Sequence, residues 1–405
     1  MPDRMLKYDD ALAQCMENTR TLPRERVPLL DSLGRVLRED IRSSIDIPPF
    51  HRSAMDGYAV RWGDLRTASS ASPRRLRVLR DLAAGSRTSR KVLKGEAIRI
   101  MTGAPLPAGA DAVVMVEYTE RDDPFVKIFR SVERGENIGP AGEDVAKGET
   151  ILEKGVVIGP ADMGMAAACG RKAIYVAKRP RIGFFSTGDE VAVPGTRRRA
   201  GQIFDANGYS LSGLAREAGA EPIFLGVVRD REEDLVGIFE RTKGLDLIVL
   251  SGGVSVGDYD LVYKTMKATG VKELFWRVAI KPGKPIFVGR RSRQLLFGLP
   301  GYPVSAMVTF LLFVRPVIDR MLGKAVIGMQ KGRARVLEER KLKPGRMKFL
   351  RASLESGPDG PGVRIIRNQH SGVLKSMVAG DVLVEVPGRT ARLKKGRIAD
   401  IHYMK

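Results

Sequence analysis

The chain is 405 residues long, with 69 lysines and arginines against 47 acids and a formal net charge of +22. That length exceeds one ordinary core and implies two to four domains, and its longest apolar run, Val304 to Val314, falls well short of the ~20 residues needed to cross a bilayer. Cys15 and Cys169 form no CxxC and His51, His370 and His402 have no helical spacing, so neither a disulfide framework nor a zinc or haem centre is indicated, while hard-cation chemistry through carboxylates stays open.

In chain order, Met5 to Thr21 has helical apolar spacing, and Val27 to Val36 reads as a second short helix ending near Gly34. Between Pro48 and Gly148 the texture turns to short β-like runs: Tyr58 to Arg61, Leu76 to Asp81, Ala97 to Met101, Ala112 to Tyr118 and Pro124 to Phe129. Glycine and proline turns separate them, as in a small β domain. Ile151 to Ala177 suits a helix and connector, with Gly159-Pro160 marking a boundary.

From about Arg179 the pattern is α/β. Arg181 to Ser186, Asp246 to Leu250 and Gln294 to Leu299 read as buried strands. Helical stretches Asn207 to Ala218, Glu232 to Thr242, Leu261 to Ala268 and Pro303 to Leu322 lie between or after them, which predicts parallel β-α-β units. Lys331 to Lys405 returns to strands and turns with no convincing helix. The expected domains are 1–47 with 149–178, 48–148, 179–325 and 326–405. The fold class is multidomain, α/β plus β, with a β-rich insertion, a small helix-containing connector and a β-barrel-like C-terminal domain.

The basic residues cluster at Arg74 to Arg80, Arg87 to Lys94, Arg197 to Arg199, Arg290 to Arg293 and Lys394-Lys395, with no interleaved aromatics. Single-strand stacking platforms need those aromatics, so a solvated basic surface is expected in place of a nucleic-acid face. An anionic small ligand gains from the same field. Met1 to Asp10 carries acids where an export signal would be apolar, so no such signal and a cytoplasmic setting are expected.

The strand ends carry the chemistry. Thr187-Gly188-Asp189-Glu190, Ser251-Gly252-Gly253 through Asp258 and Asp260, and Pro300-Gly301-Tyr302-Pro303 follow the three runs, at the edge where open α/β sheets bind ligands. Asp189, Glu190, Asp258 and Asp260 are oxygen donors suited to Mg²⁺ held together with substrate phosphates; alternatively Asp189 and Asp258 cap turns. Lys281 and Lys284 flank a Pro-Gly turn, where two ammonium groups either bind phosphate or are solvated surface. Pro303 fits a first helical turn, and that helix start is placed to face an anion. Asp205 and Asn207 stand at another helix start, as cleft residues or as N-caps.

Further stretches join these: Pro49-Phe-His-Arg-Ser-Ala-Met-Asp-Gly-Tyr-Ala59, Arg99-Ile-Met-Thr-Gly103 running on to Glu117, Gly142-Glu143-Asp144, Gly201-Gln-Ile-Phe-Asp-Ala-Asn207, Ala279-Ile-Lys-Pro-Gly-Lys-Pro285, Gly345 to Arg351 and Gln369-His-Ser-Gly372. In this order the set closely resembles the MoeA family of molybdopterin molybdenumtransferases, over nearly the whole chain. The resemblance implies an elongated four-domain subunit with a MogA-like α/β domain. It implies a homodimer whose cleft forms between the α/β domain of one subunit and the β domain of the other. The implied reaction converts adenylylated molybdopterin and molybdate to molybdenum cofactor and AMP, assisted by Mg²⁺.

By the same resemblance Asp56, Thr102, Asp144, Glu190, Asp258, Lys281 and Lys284 are the expected catalytic residues. Ser53, Thr187, Gly188, Asp205, Asn207, Ser251, Gly252, Gly253, Ser255, Pro300, Gly301 and Pro303 are expected to bind substrate. His51-Arg52, Gly139 and Tyr302 depart from the family pattern, Tyr302 standing where an asparagine is usual, so tungstate in place of molybdate stays open. Molybdopterin adenylyltransfer and a non-catalytic molybdopterin-binding scaffold are the competing readings. An adenylyltransferase upstream and molybdoenzyme apoproteins downstream are the partners implied.

Overall fold

The structure, a computed structural model, describes residues 5–253, 261–358 and 360–404. Its α/β unit is built on a six-stranded sheet in the order Glu221–Val228, Arg181–Thr187, Leu247–Ser251, Gln294–Leu299, Phe287–Arg291, Lys272–Trp276. The first four strands run parallel, and the last two are added antiparallel. Leu247–Ser251 and Gln294–Leu299 are buried at every residue, because helices cover both faces of a parallel sheet.

Adjacent residues alternate between those faces. Phe184, Val249 and Phe297 pack with Leu211, Val304 and Phe310 on one side. Phe185, Ile248, Leu250 and Leu296 pack with Leu235, Phe239, Val262 and Met266 on the other. The long helix runs from Pro303–Thr309 through a π turn at Phe310–Val314 into Arg315–Leu322. The widened turn lies just before Pro316, which has no N–H to give to the carbonyl four residues back.

The inserted β domain is a six-stranded sheet, Ala112–Met115, Gly57–Val60, Glu96–Ile100, Arg74–Leu82, Phe125–Ile128, Thr119–Asp122. It has apolar clusters on both faces, one around Tyr58, Val60 and Val114, the other around Ala59, Ile98 and Val113. In the connector, Pro160–Ala168 is helical, and the Gly159 N–H donates to the Asp162 carboxylate at 2.7 Å. The predicted helix over Val27 to Val36 is instead the strand Arg24–Pro28, paired antiparallel with Ala173–Ala177, followed by a 3-10 turn. That partner lies about 150 positions away, and local periodicity carries no trace of it. The opening helix, Tyr8–Glu17, buries Ala11 and Cys15 in the α/β core. Tyr8 meets Phe313 and Phe349 edge-on, each at 5.5 Å.

The C-terminal sheet runs Ile280–Lys281, Met347–Gly357, Gly360–Ile365, Lys331–Val336, Ile398–Tyr403, Val382–Val386, and a further pairing of Met347–Gly357 with Val382–Val386 closes it into a barrel. It also carries a one-turn helix, Lys375–Val378, that the sequence pattern does not reveal. Its first strand comes from the loop after the α/β edge: Ile280 and Lys281 pair with Met347 and Lys348.

Candidate active site and its relatives

The carboxyl ends of the four parallel strands open on a cavity of about 550 Å³. Thr187, Gly188, Glu190, Asp205, Asn207, Ser251, Gly252, Gly253, Pro300, Gly301 and Pro303 line it, with Asp230 and Tyr302. Asp205 Oδ1 accepts from Ser186 Oγ and from the Gly208 N–H, both at 2.9 Å. Asn207 Nδ2 donates to Ser251 Oγ at 2.6 Å and to the Gly301 carbonyl at 2.8 Å. One half of each polar group is thus spent on fixing the loops.

The other half is bare. Asp205 Oδ2, Asn207 Oδ1 and Thr187 Oγ1 are buried with no hydrogen-bond partner among the described residues. Each orphaned buried polar atom costs about 1–3 kcal/mol, and all three belong to residues that line the cavity. The glycines are steric requirements. Gly252 has φ +93, and a Cβ there would lie 2.7 Å from the Thr187 carbonyl oxygen; Gly253 has φ +63, and its Cβ would lie 2.3 Å from Val262.

Asp189, Glu190 and Asp230 follow the ends of neighbouring strands. Burial, then the charges of Asp189 and Glu190, hold the Asp230 carboxyl above its ordinary value. The sequence pattern does not mark Asp230, because Glu221–Val228 is only half-buried and contains Pro222 and Gly226, which hide the strand. Glu190 and Asp230 line the cavity, whereas Asp189 does not. Asp258, Asp260 and Ser255 lie outside the described residues. Among the described residues no three acid, histidine or cysteine side chains converge on one metal-sized position. The residues that line the cavity, Thr187, Asp205 and Asn207 with Glu190 and Asp230, offer oxygen donors. That donor type fits Mg²⁺ bound together with phosphate.

The two lysines of the Ala279–Pro285 stretch do not enter this cavity. Lys281 is drawn into the C-terminal sheet and lines a second cavity of about 430 Å³, together with Arg340, Lys341, Lys343, Lys348, Arg351 and His370. Lys284 lines neither. No carboxylate lines the second cavity among the described residues. Arg351 is 1% and Lys348 6% exposed. Burial, then the charge of Arg340, pulls the Arg351 guanidinium down to about 10. Burial, with Lys281 and Arg346 behind it, lowers the Lys348 amine. Arg351 donates to Ser376 Oγ and to the Asn368 and His370 carbonyls, at 3.2 to 3.4 Å. Buried cations held by neutral acceptors alone leave their charge for an anion. The sequence pattern does not mark these two side chains, since both sit among buried residues of the strand Met347–Gly357.

At the start of the long helix, the Val304 N–H donates to the Ser371 carbonyl at 3.0 Å. The expectation that this helix start faces an anion is corrected to that extent: the C-terminal domain docks on its first available donor.

In the β domain, Asp56 Oδ1 accepts from both the N–H and the Oγ1 of Thr102, each at 2.7 Å. These bonds, then Arg99, hold the exposed Asp56 carboxyl below its ordinary value. Ser53 is buried, and its hydroxyl donates to the Met55 carbonyl. Asp144 is exposed, next to Glu143, which lies 3.6 Å from Arg52. His51 Nδ1 accepts from the Ala141 N–H. A Cβ at Gly139 would touch Arg52 and Glu143, at 3.1 to 3.3 Å. None of these residues lines the strand-end cavity of its own chain.

Three family profiles match in series: the MoeA N-terminal region (domain I and II) over residues 6–170, a probable molybdopterin binding domain over 183–320, and the MoeA C-terminal region (domain IV) over 333–403. A molybdopterin molybdenumtransferase of Staphylococcus aureus (strain MRSA252) is 33% identical over 397 residues, 97% of this chain and 94% of that protein. The chain belongs to the MoeA family. Another MoeA relative, the molybdopterin molybdenumtransferase of Bacillus subtilis (strain 168), is 36% identical over 322 residues, 78% of this chain and 75% of that one. Two solved structures of the molybdopterin biosynthesis MoeA protein of Pyrococcus horikoshii superpose with TM-scores of 0.87 and 0.85. They are 35% and 32% identical, and each comparison covers 99% of this chain and 100% of the other. The MoeA architecture expected from the sequence, with its MogA-like α/β domain and C-terminal barrel, is therefore the one adopted.

Proposed function

We propose that this MoeA protein is a molybdopterin molybdenumtransferase of molybdenum cofactor biosynthesis, acting on adenylylated molybdopterin and an oxyanion, molybdate or tungstate. The observation that carries this reading is the carboxylate-free cavity of Lys281, Lys348 and Arg351, built by the C-terminal domain next to the strand-end cavity. An adenylyltransferase built from the α/β domain alone has no such second cavity. In the proposed reaction an oxygen of the oxyanion attacks the AMP phosphorus, the phosphoanhydride breaks, AMP leaves carrying that oxygen, the other phosphate stays on the pterin, and the metal binds the pterin sulfurs.

The bare oxygens of Asp205, Asn207 and Thr187 support ligand binding in the strand-end cavity. Mg²⁺ would be held by Glu190 and Asp230, with Asp189, Asp258 and Asp260 as the further acids, and it would neutralise charge on the phosphate oxygens. Asp56, Thr102 and Asp144 have no contact with the cavity of their own chain, which favours their delivery by a second subunit in a homodimer. A reaction that adenylylates molybdopterin must precede this one, and molybdoenzyme apoproteins are the natural acceptors of its product, in the cytoplasm.

The test is AMP release from adenylylated molybdopterin with Mg²⁺ and either oxyanion, alone and in competition. AMP that depends on the oxyanion supports the reading. AMP that does not appear, or appears equally without oxyanion, rejects it.

A further inference from the structure

The two cavities meet at a pair of rings. Tyr302 lines the strand-end cavity and His370 the basic one, and the ring centroids lie 6.0 Å apart with planes at 77°. Both rings stand on fixed backbone. Tyr302 precedes Pro303, which keeps it extended at φ −69 and ψ 127. The loop bearing His370 is pinned one residue on, where the Ser371 carbonyl takes the Val304 N–H. Gly372 fills the corner: a Cβ there would lie 3.4 Å from His370 Nδ1 and 3.5 Å from Tyr302 Cδ1.

Two donors at this corner have no partner among the described residues. The Gly372 N–H donates to His370 Nδ1 at 3.2 Å, so a neutral imidazole carries its proton on Nε2. The Tyr302 hydroxyl has no hydrogen-bond partner among the described residues, and Tyr302 is 61% exposed. An exposed tyrosine alone needs no explanation. This one stands between a cavity of unpaired cations and a cavity of unpaired oxygens. Its ring contact with His370 lies at the edge that the two cavities share.

We propose that Tyr302 and His370 form the partition between the two cavities and position the oxyanion there, through the Tyr302 O–H and the His370 Nε2–H. The inference rests on the functional reading above and adds the passage between its two sites. Tyr302 is then a positioning residue whose ring sets the width of the passage and whose hydroxyl is one of its donors. The two contributions separate by substitution: Tyr302→Phe keeps the ring and removes the donor, whereas Tyr302→Asn opens the passage and keeps a polar group.

The experiment is calorimetric titration of the full-length protein with molybdate alone, followed by steady-state AMP release with each substrate varied in turn. Tyr302→Phe and His370→Phe, each of which keeps a ring and removes the donor, should each weaken molybdate binding roughly tenfold, the scale of one lost hydrogen bond to a charged ligand. They should raise the KM for molybdate while leaving that for adenylylated molybdopterin unchanged. Tyr302→Asn should alter kcat more than Tyr302→Phe does. A change of less than about twofold in molybdate affinity for both donor variants, or an equal rise in both KM values, would overturn the proposal. Because titration needs no turnover, a wild-type protein that binds molybdate but releases no AMP would reject the functional reading while leaving the donor pair to be judged on binding.

Discussion

Asp205 and Ser186 are joined by a 2.9 Å hydrogen bond that occupies one carboxylate oxygen and leaves the other, Oδ2, buried and bare. The bonded oxygen also takes the Gly208 N–H, so the same side chain caps a helix and lines the strand-end cavity. Asp205→Ala should lower stability by about 1–2 kcal/mol through the lost cap and also weaken binding of adenylylated molybdopterin. Denaturant melts and substrate titrations measure the two losses separately. Asp205→Asn, which can still accept at one oxygen, should recover most of the stability and little of the binding.

At Gly253 an added Cβ would meet Val262 at 2.3 Å and hold a backbone with φ +63. Gly253→Ala should therefore cost about 1–3 kcal/mol from strain at such a φ, with binding in the strand-end cavity lost together with stability. Gly213→Ala is the control, because its Cβ would meet nothing within 4 Å. It should be neutral or slightly stabilising in the same melts.

Lys348 is buried beside Lys281 and Arg346, and its amine is pushed below its ordinary value. Lys348→Met removes that desolvated charge, so stability should hold or rise by about 1 kcal/mol while molybdate affinity falls. The linkage in the wild type has the same sign. A cation whose folded value is depressed binds fewer protons folded than unfolded between the two values, so this group's destabilising effect is relieved as pH rises through that interval. For Arg351, pulled down to about 10, oxyanion binding should fade as pH approaches that value from below, even where stability does not. Titrations between pH 7 and 10.5 test both directions.

Glu385 accepts from His402 at 2.8 Å, and that bond, then burial acting against it, leaves the carboxyl below its ordinary value. Such a group contributes stability above its unfolded value and loses it as pH falls through the lower, folded one. His402→Leu removes the bond and leaves the burial, so Glu385 should protonate at higher pH. The variant should therefore be less stable than the wild type at neutral pH, and the difference should shrink as pH falls and the wild-type Glu385 protonates, as followed by denaturant melts across pH. A stability difference that does not change with pH would show that the pair contributes nothing to acid sensitivity.

The strands Arg181–Thr187, Leu247–Ser251 and Gln294–Leu299 were legible because burial on both faces leaves continuous apolar runs, each closed by glycine or proline. Edge strands do not leave that signature. Lys272–Trp276 and Glu221–Val228 mix exposed and half-buried positions, and Asp230 was lost with the second of them. The lysines of the Ala279–Pro285 stretch were read as a pair because they share one turn. Pairing of Ile280 and Lys281 with Met347 and Lys348, across more than sixty positions, sends Lys281 to the second cavity. Arg351 and Lys348 were opaque for the opposite reason: they lie among buried residues, where an isolated charge has meaning only once its missing counterion is seen.

Single-turnover AMP release from bound adenylylated molybdopterin, with and without molybdate, in the wild type and in Arg351→Met, tests the two-cavity account most directly. The account predicts that molybdate accelerates release in the wild type and that the variant binds the nucleotide-bearing substrate normally but loses the molybdate dependence. A variant that keeps the full molybdate response would contradict the role of the basic cavity.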